Sequence, residues 1–510
     1  MSTIRYIIIL LAICLLGVYA DPGAQRYEPT WDSLDKRVTP TWYDEAKLGI
    51  FIHWGLFSVP SFDNEWFCLL GVYADPGAQR YEPTWDSLDK RVTPTWYDEA
   101  KLGIFIHWGL FSVPSFDNEW FWWNWAHNDT KYINFMAKNY RPGFTYGDFA
   151  NQFTAEWYDP DKWAEIFKAS GAKYIALTSK HHEGYTLWPS TTSFNWNAMD
   201  VGPKRDLLGD LAVAVRKQGI KFGAYHSLMD WYHPLFLSDE KSGWKDTDFV
   251  KAKSRPELEE LVNKYKPELI WSDGDWTAPA TYWNSTDIIA WLYNDSPVKD
   301  TIVVNDRWGK DMICHHGDFY TCSDRYAPSV LQPHKWESCM SFDKKSWGFR
   351  REAPLADYMT TEEVVHSFVQ TISCGGNLLL NIGPTHDGRI PLLFEERLRQ
   401  LGAWLGINGE AVYATKPWVN HRTHQNDSVS GDVWYTYKDK NVYPIALSWP
   451  KNNQLELGDI DFKTVNTVEL LGTTGQLAVK EKGKGVVITF PSLTPPIKLD
   501  YAYALRIKTK

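Results

Sequence analysis

From about residue 101 to residue 405 short apolar runs alternate with amphipathic segments, and each run stops in polar or aromatic residues. Gly103 to Ile106 predicts a strand ending in His107-Trp108-Gly109. Asp161 to Ser170 predicts a helix, with Pro160 at its start, Trp163, Ile166 and Phe167 on one face, and Gly171 as its stop. Tyr174 to Thr178 predicts a strand ending in Lys180-His181-His182, and Asp206 to Gln218 a helix closed by Gly219. The strand Ile220 to Ala224 then ends in Tyr225-His226-Ser227. Ser254 is expected to cap the next helix, with Pro256 and Glu257 in its first turn. Pro267 leads from there into the buried run Glu268-Leu269-Ile270-Trp271-Ser272, which stops in Asp273-Gly274-Asp275-Trp276. Thr301 to Val304 ends in Asn305-Asp306-Arg307-Trp308. Thr360 and Glu363 form the capping box of a helix that stops at Gly375-Gly376, before the strand Leu378 to Leu380 and Asn381.

This alternation predicts an α/β fold: a (β/α)8-like barrel over residues 75–410, with functional groups at the C-terminal ends of its strands. After the helix Pro391 to Leu405 the texture changes to closely spaced strands: Val433 to Tyr437, Val442 to Leu447, Val465 to Leu470, Gly485 to Phe490 and Ala502 to Ile507. They predict a small antiparallel β-sandwich over residues 411–510.

The N-terminus reads as a secretory signal over residues 1–20: Arg5, the apolar run Tyr6 to Leu16, and Val18-Tyr19-Ala20 before Asp21. No later run reaches the ~20 residues of a membrane span. Residues Cys14 to Phe67 recur unchanged as Cys68 to Phe121. The second copy opens on the tail of the signal peptide, which has no export task in mid-chain. This is either a recent duplication or an error of gene assembly, and not a solenoid repeat. Only the second copy runs on into the rest of the chain, so residues 21–74 are expected to lie outside the core fold. Lysosomal and secreted destinations both remain open.

The 510 residues are 44% hydrophobic and carry 53 basic against 63 acidic groups. That size supports a large core and two domains. The balance of -10 lacks the electrostatic footprint of a nucleic-acid binder. The 28 tryptophans serve as core fillers or as platforms for sugar rings. In the secretory pathway the sequons at Asn128, Asn284, Asn294 and Asn426 become glycosylation candidates, and Pro297 weakens the third. Six cysteines leave room for one or two disulfides without forming a disulfide scaffold.

A carboxylate at a strand end suits a nucleophile, and retaining glycoside hydrolysis pairs it with an acid/base about 5–5.5 Å away. Asp273 fits the first role, although acids after strands also decorate loops. Asp324 in Cys322-Ser323-Asp324-Arg325 and Glu337 in Lys335-Trp336-Glu337-Ser338-Cys339 are candidates for the second, and either could instead make a salt bridge. His181-His182 and His315-His316 are poor metal pairs, because adjacent strand residues point to opposite faces. Neither a metal nor another cofactor is expected. There is no Gly-x-Ser-x-Gly elbow and no Gly-rich phosphate loop. A glycan-binding protein without turnover and a glycosidase for another sugar are the rival readings.

Taken together, Phe105-Ile106-His107-Trp108-Gly109, Asn118-Glu119-Trp120, Lys180-His181-His182-Glu183-Gly184, Trp271-Ser272-Asp273-Gly274 and Asn305-Asp306-Arg307-Trp308 resemble the α-L-fucosidase family of glycoside hydrolases. So does Pro328-x-x-Leu331-x-x-x-Lys335-Trp336-Glu337-x-Cys339, which is similar to that family's signature segment and leaves Cys339 without an assigned role. The likeness runs from about residue 80 to the end and is close to the animal tissue (lysosomal) members. It implies a metal-free, retaining exo-hydrolase that removes terminal α-linked L-fucose from glycoproteins, glycolipids and oligosaccharides. It implies Asp273 as nucleophile, and fucose binding by His107, Glu119, Trp120, His181, His182, Trp271, Arg307 and one or both of Tyr225 and His226. The acid/base stays open between Glu337 and Asp324, and the sequence leaves both a monomer and a homo-oligomer open. Asp275 departs from the family, where Glu is frequent.

Overall fold

The computed structural model describes residues 30–37, 45, 80–422, 433–492 and 499–510. The chain divides into two units, residues 1–78 and 79–510. In the first, only the turn of helix Trp31–Leu34 is described, and it buries no residue. Its duplicate, Trp85–Leu88, belongs to the second unit, where Leu88 is 4% exposed against 44% for Leu34. Among the described residues, the same four residues thus bury Leu88 in the second copy and none of their side chains in the first. The signal segment lies outside the described residues.

Seven parallel strands form the central sheet: β1 Leu102–Ile106, β2 Tyr174–Lys180, β3 Lys221–Ser227, β4 Leu269–Asp273, β5 Val303–Val304, β6 Trp336–Ser341 and β7 Gly376–Ile382. Their spatial order is β5-β4-β3-β2-β1-β7-β6. The gap between β5 and β6 is filled by a narrow stave. Asp318 N–H donates to the Val304 carbonyl and Glu337 N–H to the Tyr320 carbonyl, making a single parallel bridge between Tyr320 and Trp336. The sheet thus curls into a barrel whose interior is packed by Tyr97, Phe105, Tyr174, Tyr225, Trp271, Phe319, Cys339 and Leu379.

The helices follow their sequence signals closely. Helix α1 Pro160–Ala169 begins on the Asp159 carboxylate, which accepts from Lys162 N–H, and α2 Leu207–Lys217 on Asp206, which accepts from Gly209 N–H. The expected Ser254 cap is not formed. The chain is already helical from Val250 as a π-helical turn, so α3 Arg255–Tyr265 needs no cap, and Ser254 Oγ donates instead to the Leu228 carbonyl. Helix α4 Ser285–Asn294 follows β4, and α5 Thr361–Ser373 carries the full Thr360/Glu363 capping box. The long helix α6 Leu392–Asn408 leads out of the barrel.

The C-terminal strands are β8 Lys416–Arg422, β9 Val433–Lys438, β10 Asn441–Ala446, β11 Gln454–Leu457, β12 Val465–Leu470, β13 Ala478–Lys482, β14 Gly485–Thr489 and β15 Tyr503–Thr509. They make an antiparallel five-stranded sheet, β12-β15-β10-β9-β8, and a three-stranded one, β11-β14-β13. Val433, Tyr435, Val468, Leu505 and Ile507 face Leu455, Leu457, Val486 and Ile488 across the sandwich. The alternate residues Trp434, Tyr443, Ile445 and Ala504 join the barrel's core instead. The five-stranded sheet is therefore buried on both faces, and the Trp404 indole of α6 donates to the Ala502 carbonyl across the join.

Candidate active site

A cavity of about 400 Å³ opens at the C-terminal ends of the barrel strands, where (β/α)8 proteins carry their chemistry. It is lined by residues from the ends of β1 to β5 and from the loops before and after β6.

Asp273 is the last residue of β4 and is 9% exposed. Tyr225 Oη donates to its Oδ2 at 2.8 Å and Arg307 Nη1 to its Oδ1 at 3.1 Å. Gly274 follows with φ +79°, a left-handed turn in which a Cβ would press on Met229 and Ser227, so glycine is required to end the strand there. A second clamp holds the strand from behind. Asn305, just past β5, accepts from Ser272 N–H at 3.0 Å and donates to the Ser272 carbonyl at 2.8 Å.

Arg307 divides its guanidinium. Nη1 serves Asp273, Nη2 donates to Asp324 Oδ1 at 2.7 Å, and Nε donates to Thr321 Oγ1 at 2.9 Å. Burial opposes the charge, but the Asp273 and Asp324 carboxylates hold the guanidinium well above its ordinary pKa. Asp324 stands at the mouth with its side chain 53% exposed.

Three of the four strand-end histidines proposed from the sequence reach the cavity. His107 Nδ1 lies 2.7 Å from Asn381 Oδ1. Because Asn381 Nδ2 already donates to Ser341 and Trp347, Oδ1 is the acceptor and Nδ1 carries the hydrogen. His182 Nδ1 lies 2.7 Å from Ser227 Oγ, whose own hydrogen goes to the Met229 carbonyl, and its Nε2 is 3.6 Å from Asp273. Burial, reinforced by His181, pushes both His107 and His182 well below the usual imidazole pKa, so both are neutral. Each therefore keeps an unprotonated Nε2, an acceptor for a hydroxyl group.

His181 and His182 both line the cavity, with ring centroids 4.2 Å apart. The expectation that adjacent residues diverge fails because β2 ends at Lys180, and the pair sits on the turn that follows. Gly184 completes that turn at φ +80°, where a Cβ would strike the Asp230 carboxylate. Alternation does hold inside β3: Tyr225 faces the cavity, while His226 points the other way. His226 Nε2 meets Glu257 at 3.1 Å, and burial with the nearby Lys180 ammonium pushes its pKa down to about 4. The substrate-binding role considered for His226 is thereby corrected. Lys180 and Lys253 also pair with Glu257, forming a fully buried charge cluster behind the site.

Glu337 is also displaced from the expected position. It is fully buried in the barrel interior and is absent from the cavity wall. Tyr97 and Tyr174 hydroxyls donate to its Oε2 at 2.7 and 2.5 Å, and the Trp271 indole donates to Oε1 at 2.9 Å. Burial raises its pKa against those three hydrogen bonds. Enclosed by three donors beneath Trp271, it has no path to a leaving group. Cys339 shares that interior, its thiol buried and unbridged.

Glu119 and Trp120 come from the loop after β1. Glu119 Oε2 accepts from Trp347 N–H at 3.0 Å, and Trp120 stacks on Trp276 at 5.8 Å. Trp347 stacks on His107 at 5.3 Å. Sequence reasoning missed Trp347 and Ile313, since side chains on irregular loops carry no periodic signal, and it quoted Phe105 and Trp276 without giving them a binding role. Asp275 also lines the cavity and is 4% exposed. Burial, opposed by Arg307 and aided by Asp273, pushes its carboxyl up to about 7.

The remaining expectations divide. His315 and His316 are outside the cavity, and His316 stacks on Trp85 and pairs with Asp89 at 2.7 Å. Asp306, Cys314 and Cys322 gather closely enough to suggest a metal site, but the two sulfurs are joined as a disulfide and cannot serve as thiolate ligands. Asn128 is exposed and Asn284 half-buried. Asn294 is engaged: its Nδ2, the atom a glycan would take, donates to the Tyr81 carbonyl at 2.8 Å. Asn426 lies outside the described residues.

Comparison with known proteins agrees with this geometry. The alpha-L-fucosidase family model matches residues 15–71 and again 68–410, and the alpha-L-fucosidase C-terminal domain matches residues 425–508. The chain is 58% identical over 434 residues to an alpha-L-fucosidase of Branchiostoma floridae, covering 84% of this chain and 96% of the relative. It is 56% identical over 437 residues to the human plasma alpha-L-fucosidase, covering 84% and 93% of the two chains. The crystal structure of Thermotoga maritima alpha-fucosidase in complex with a mechanism-based inhibitor superposes with a TM-score of 0.73 at 33% identity, over 84% of this chain and 100% of that one. The family models cover both the barrel and the C-terminal sheets, and the relatives match at well over half identity along most of their length: the chain belongs to the alpha-L-fucosidase family.

Proposed function

We propose that Asp273 is the nucleophile and Asp324 the general acid/base of a retaining α-L-fucosidase acting on terminal fucose of glycoproteins, glycolipids and oligosaccharides. The observation that carries this assignment is the forked contact of Arg307 with both carboxylates. Two carboxylates on one guanidinium at a cavity of single-sugar size can address the same glycosidic bond. In the first step an Asp273 oxygen attacks the anomeric carbon. The bond to the leaving oxygen breaks, and Asp324 gives that oxygen its proton. In the second, Asp324 takes a proton from water, whose oxygen displaces Asp273 and releases fucose. Asp324 faces water at the mouth, as a group that exchanges protons with both a departing alcohol and an incoming water must.

Supporting groups follow from the same wall. His107 and His182 offer Nε2 acceptors to sugar hydroxyls, with His181 and Glu119 beside them. Trp271 and Trp120 supply apolar faces. The cavity holds the carboxyl groups of Asp273, Asp324, Glu119 and Asp275 against the single cation Arg307. Such a site favours the positive charge of an oxocarbenium-like transition state.

The domain division 75–410 and 411–510, with residues 21–74 outside the core, belongs to this reading. So does passage through the secretory pathway to a lysosomal or extracellular destination. Among the described residues no helix is long and apolar enough to cross a membrane. The relatives include plasma and tissue enzymes.

Hydrolysis of aryl α-L-fucosides by wild type, Asp273→Gly, Asp324→Ala and Glu337→Ala, with and without azide, tests the assignment. Azide should restore turnover to Asp273→Gly with inverted product and to Asp324→Ala with retained product. Full activity in Asp273→Gly would end the proposal.

A further inference from the structure

The loop that presents Asp324 is held by a device that no catalytic role accounts for. Asp306, immediately before Arg307, is fully buried. Its Oδ1 accepts from Thr321 N–H at 2.9 Å and Thr321 Oγ1 at 2.6 Å, and its Oδ2 from Cys314 N–H at 2.8 Å and Cys322 N–H at 3.1 Å. All four donors belong to the segment 314–322, and the Cys314–Cys322 disulfide joins the two ends of that segment. Both cysteines have positive φ, 61° and 55°, a conformation that non-glycine residues keep only where their surroundings enforce it. Thr321, having given its hydrogen to Asp306, accepts from Arg307 Nε. Asp324 follows Cys322 by two residues and takes the other end of the same guanidinium.

We infer that Asp306 and the Cys314–Cys322 disulfide are positioning elements for acid/base catalysis, fixing the height of the Asp324 loop and the rotation of Arg307 over the cavity. The inference rests on Asp324 being the acid/base. A carboxylate buried with four donors is costly unless every donor is in place, so the hub holds only when the segment is correctly folded around it. The disulfide keeps both ends of the segment beside the hub. Asp273 shares Arg307 but also accepts from Tyr225 Oη, and its strand is clamped by Asn305 through Ser272, so loss of the hub affects the acid more than the nucleophile.

Leaving-group dependence separates this role from a merely structural one. A 2,4-dinitrophenyl fucoside leaves without protonation, whereas a phenyl or alkyl fucoside needs the acid. In the full-length C314A/C322A double variant and in Asp306→Asn, kcat/KM on the phenyl fucoside should fall by about 10²-fold, the lower end of general-acid effects, and on the dinitrophenyl fucoside by less than about tenfold. Azide should raise dinitrophenyl turnover and yield the retained fucosyl azide. Dithiothreitol should reproduce the pattern in wild type, since Cys314 is exposed. Equal losses on both substrates, or none, would overturn the inference. Asp324→Ala run alongside distinguishes the two levels: if it shows no leaving-group dependence, the acid assignment itself fails. If it does and the hub variants do not, only the positioning role fails. Should Asp306→Asn not fold, the double cysteine variant, which leaves the hub carboxylate intact, carries the test.

Discussion

Asp273 and Asp324 occupy the two terminal nitrogens of one guanidinium, Arg307 Nη1 donating to the first at 3.1 Å and Nη2 to the second at 2.7 Å. One side chain thereby sets the spacing of the two carboxylates proposed to react.

A lysine cannot reproduce that fork, because its ammonium is a point charge without two parallel donors. Arg307→Lys is expected to lower kcat/KM on aryl α-L-fucosides by about 10²-fold, ~2.7 kcal/mol of transition-state stabilisation. Initial rates measure it, and a loss below about fivefold would show that charge alone suffices.

Glu337 is expected to matter for the barrel and not for proton transfer. Glu337→Ala strips the acceptor from Tyr97, Tyr174 and Trp271 in the dry interior, at about 1–3 kcal/mol for each unsatisfied donor that cannot re-pair. Denaturant unfolding should register that loss. Folded Glu337→Gln should show neither azide rescue nor leaving-group dependence.

Asp275 links stability to pH. Its folded pKa, raised by burial to about 7, exceeds the unfolded value of about 3.9, so the folded state retains a proton that the unfolded state has lost. Its contribution is complete below pH ~4 and is lost as pH rises to about 7, a change of at most ~4 kcal/mol. Asp275→Asn should flatten the stability profile across that window and raise Tm above neutrality relative to wild type. An unchanged slope in thermal melts between pH 4 and 7 would refute this assignment.

Glu257 neutralises two buried ammoniums. Burial opposes its ionisation, yet Lys180 and Lys253 hold its carboxyl well below the usual range. Glu257→Gln leaves both cations uncompensated and should cost about 3–5 kcal/mol, read by chemical unfolding. A loss under ~1 kcal/mol would mean that water reaches the cluster.

Removal of residues 21–74 is expected to leave kcat/KM and Tm unchanged. Lower expression with a reduced Tm would show that the first copy packs on the fold after all.

Most of the barrel was legible because buried parallel strands are apolar runs that end abruptly, as Leu269–Asp273 does. Strand β6 was not, since its interior-facing positions include Glu337 and the run is broken by Ser338 and Ser341. In the sandwich, β8, β11 and β13 were missed: the last exposes Ala478, Lys480, Glu481 and Lys482, leaving no alternation to read. At the site, motif identity pointed to Asp273, His107 and Arg307, all three on the cavity wall. It could not choose between Asp324 and Glu337, because the signature segment marks a strand inside the barrel and says nothing of which way its carboxylate points. Tyr225 and His226 were separated only once the register of β3 was known, and His181 and His182 were brought to one cavity wall only once β2 was seen to end before them.

The narrow stave between β5 and β6 has an evolutionary consequence. Asp273 ends a full strand paired on both sides, so an insertion there shifts the register of its neighbours. Between Asn305 and Lys335 the backbone pairs with the strands of the sheet only at Asp318, Tyr320 and Arg325, so the stretches between these points can lengthen, shorten or exchange an acidic residue without rebuilding the barrel. In a lineage of such enzymes the proposed nucleophile, Asp273, is therefore expected to be inherited with the scaffold, while the proposed proton donor, Asp324, is open to replacement.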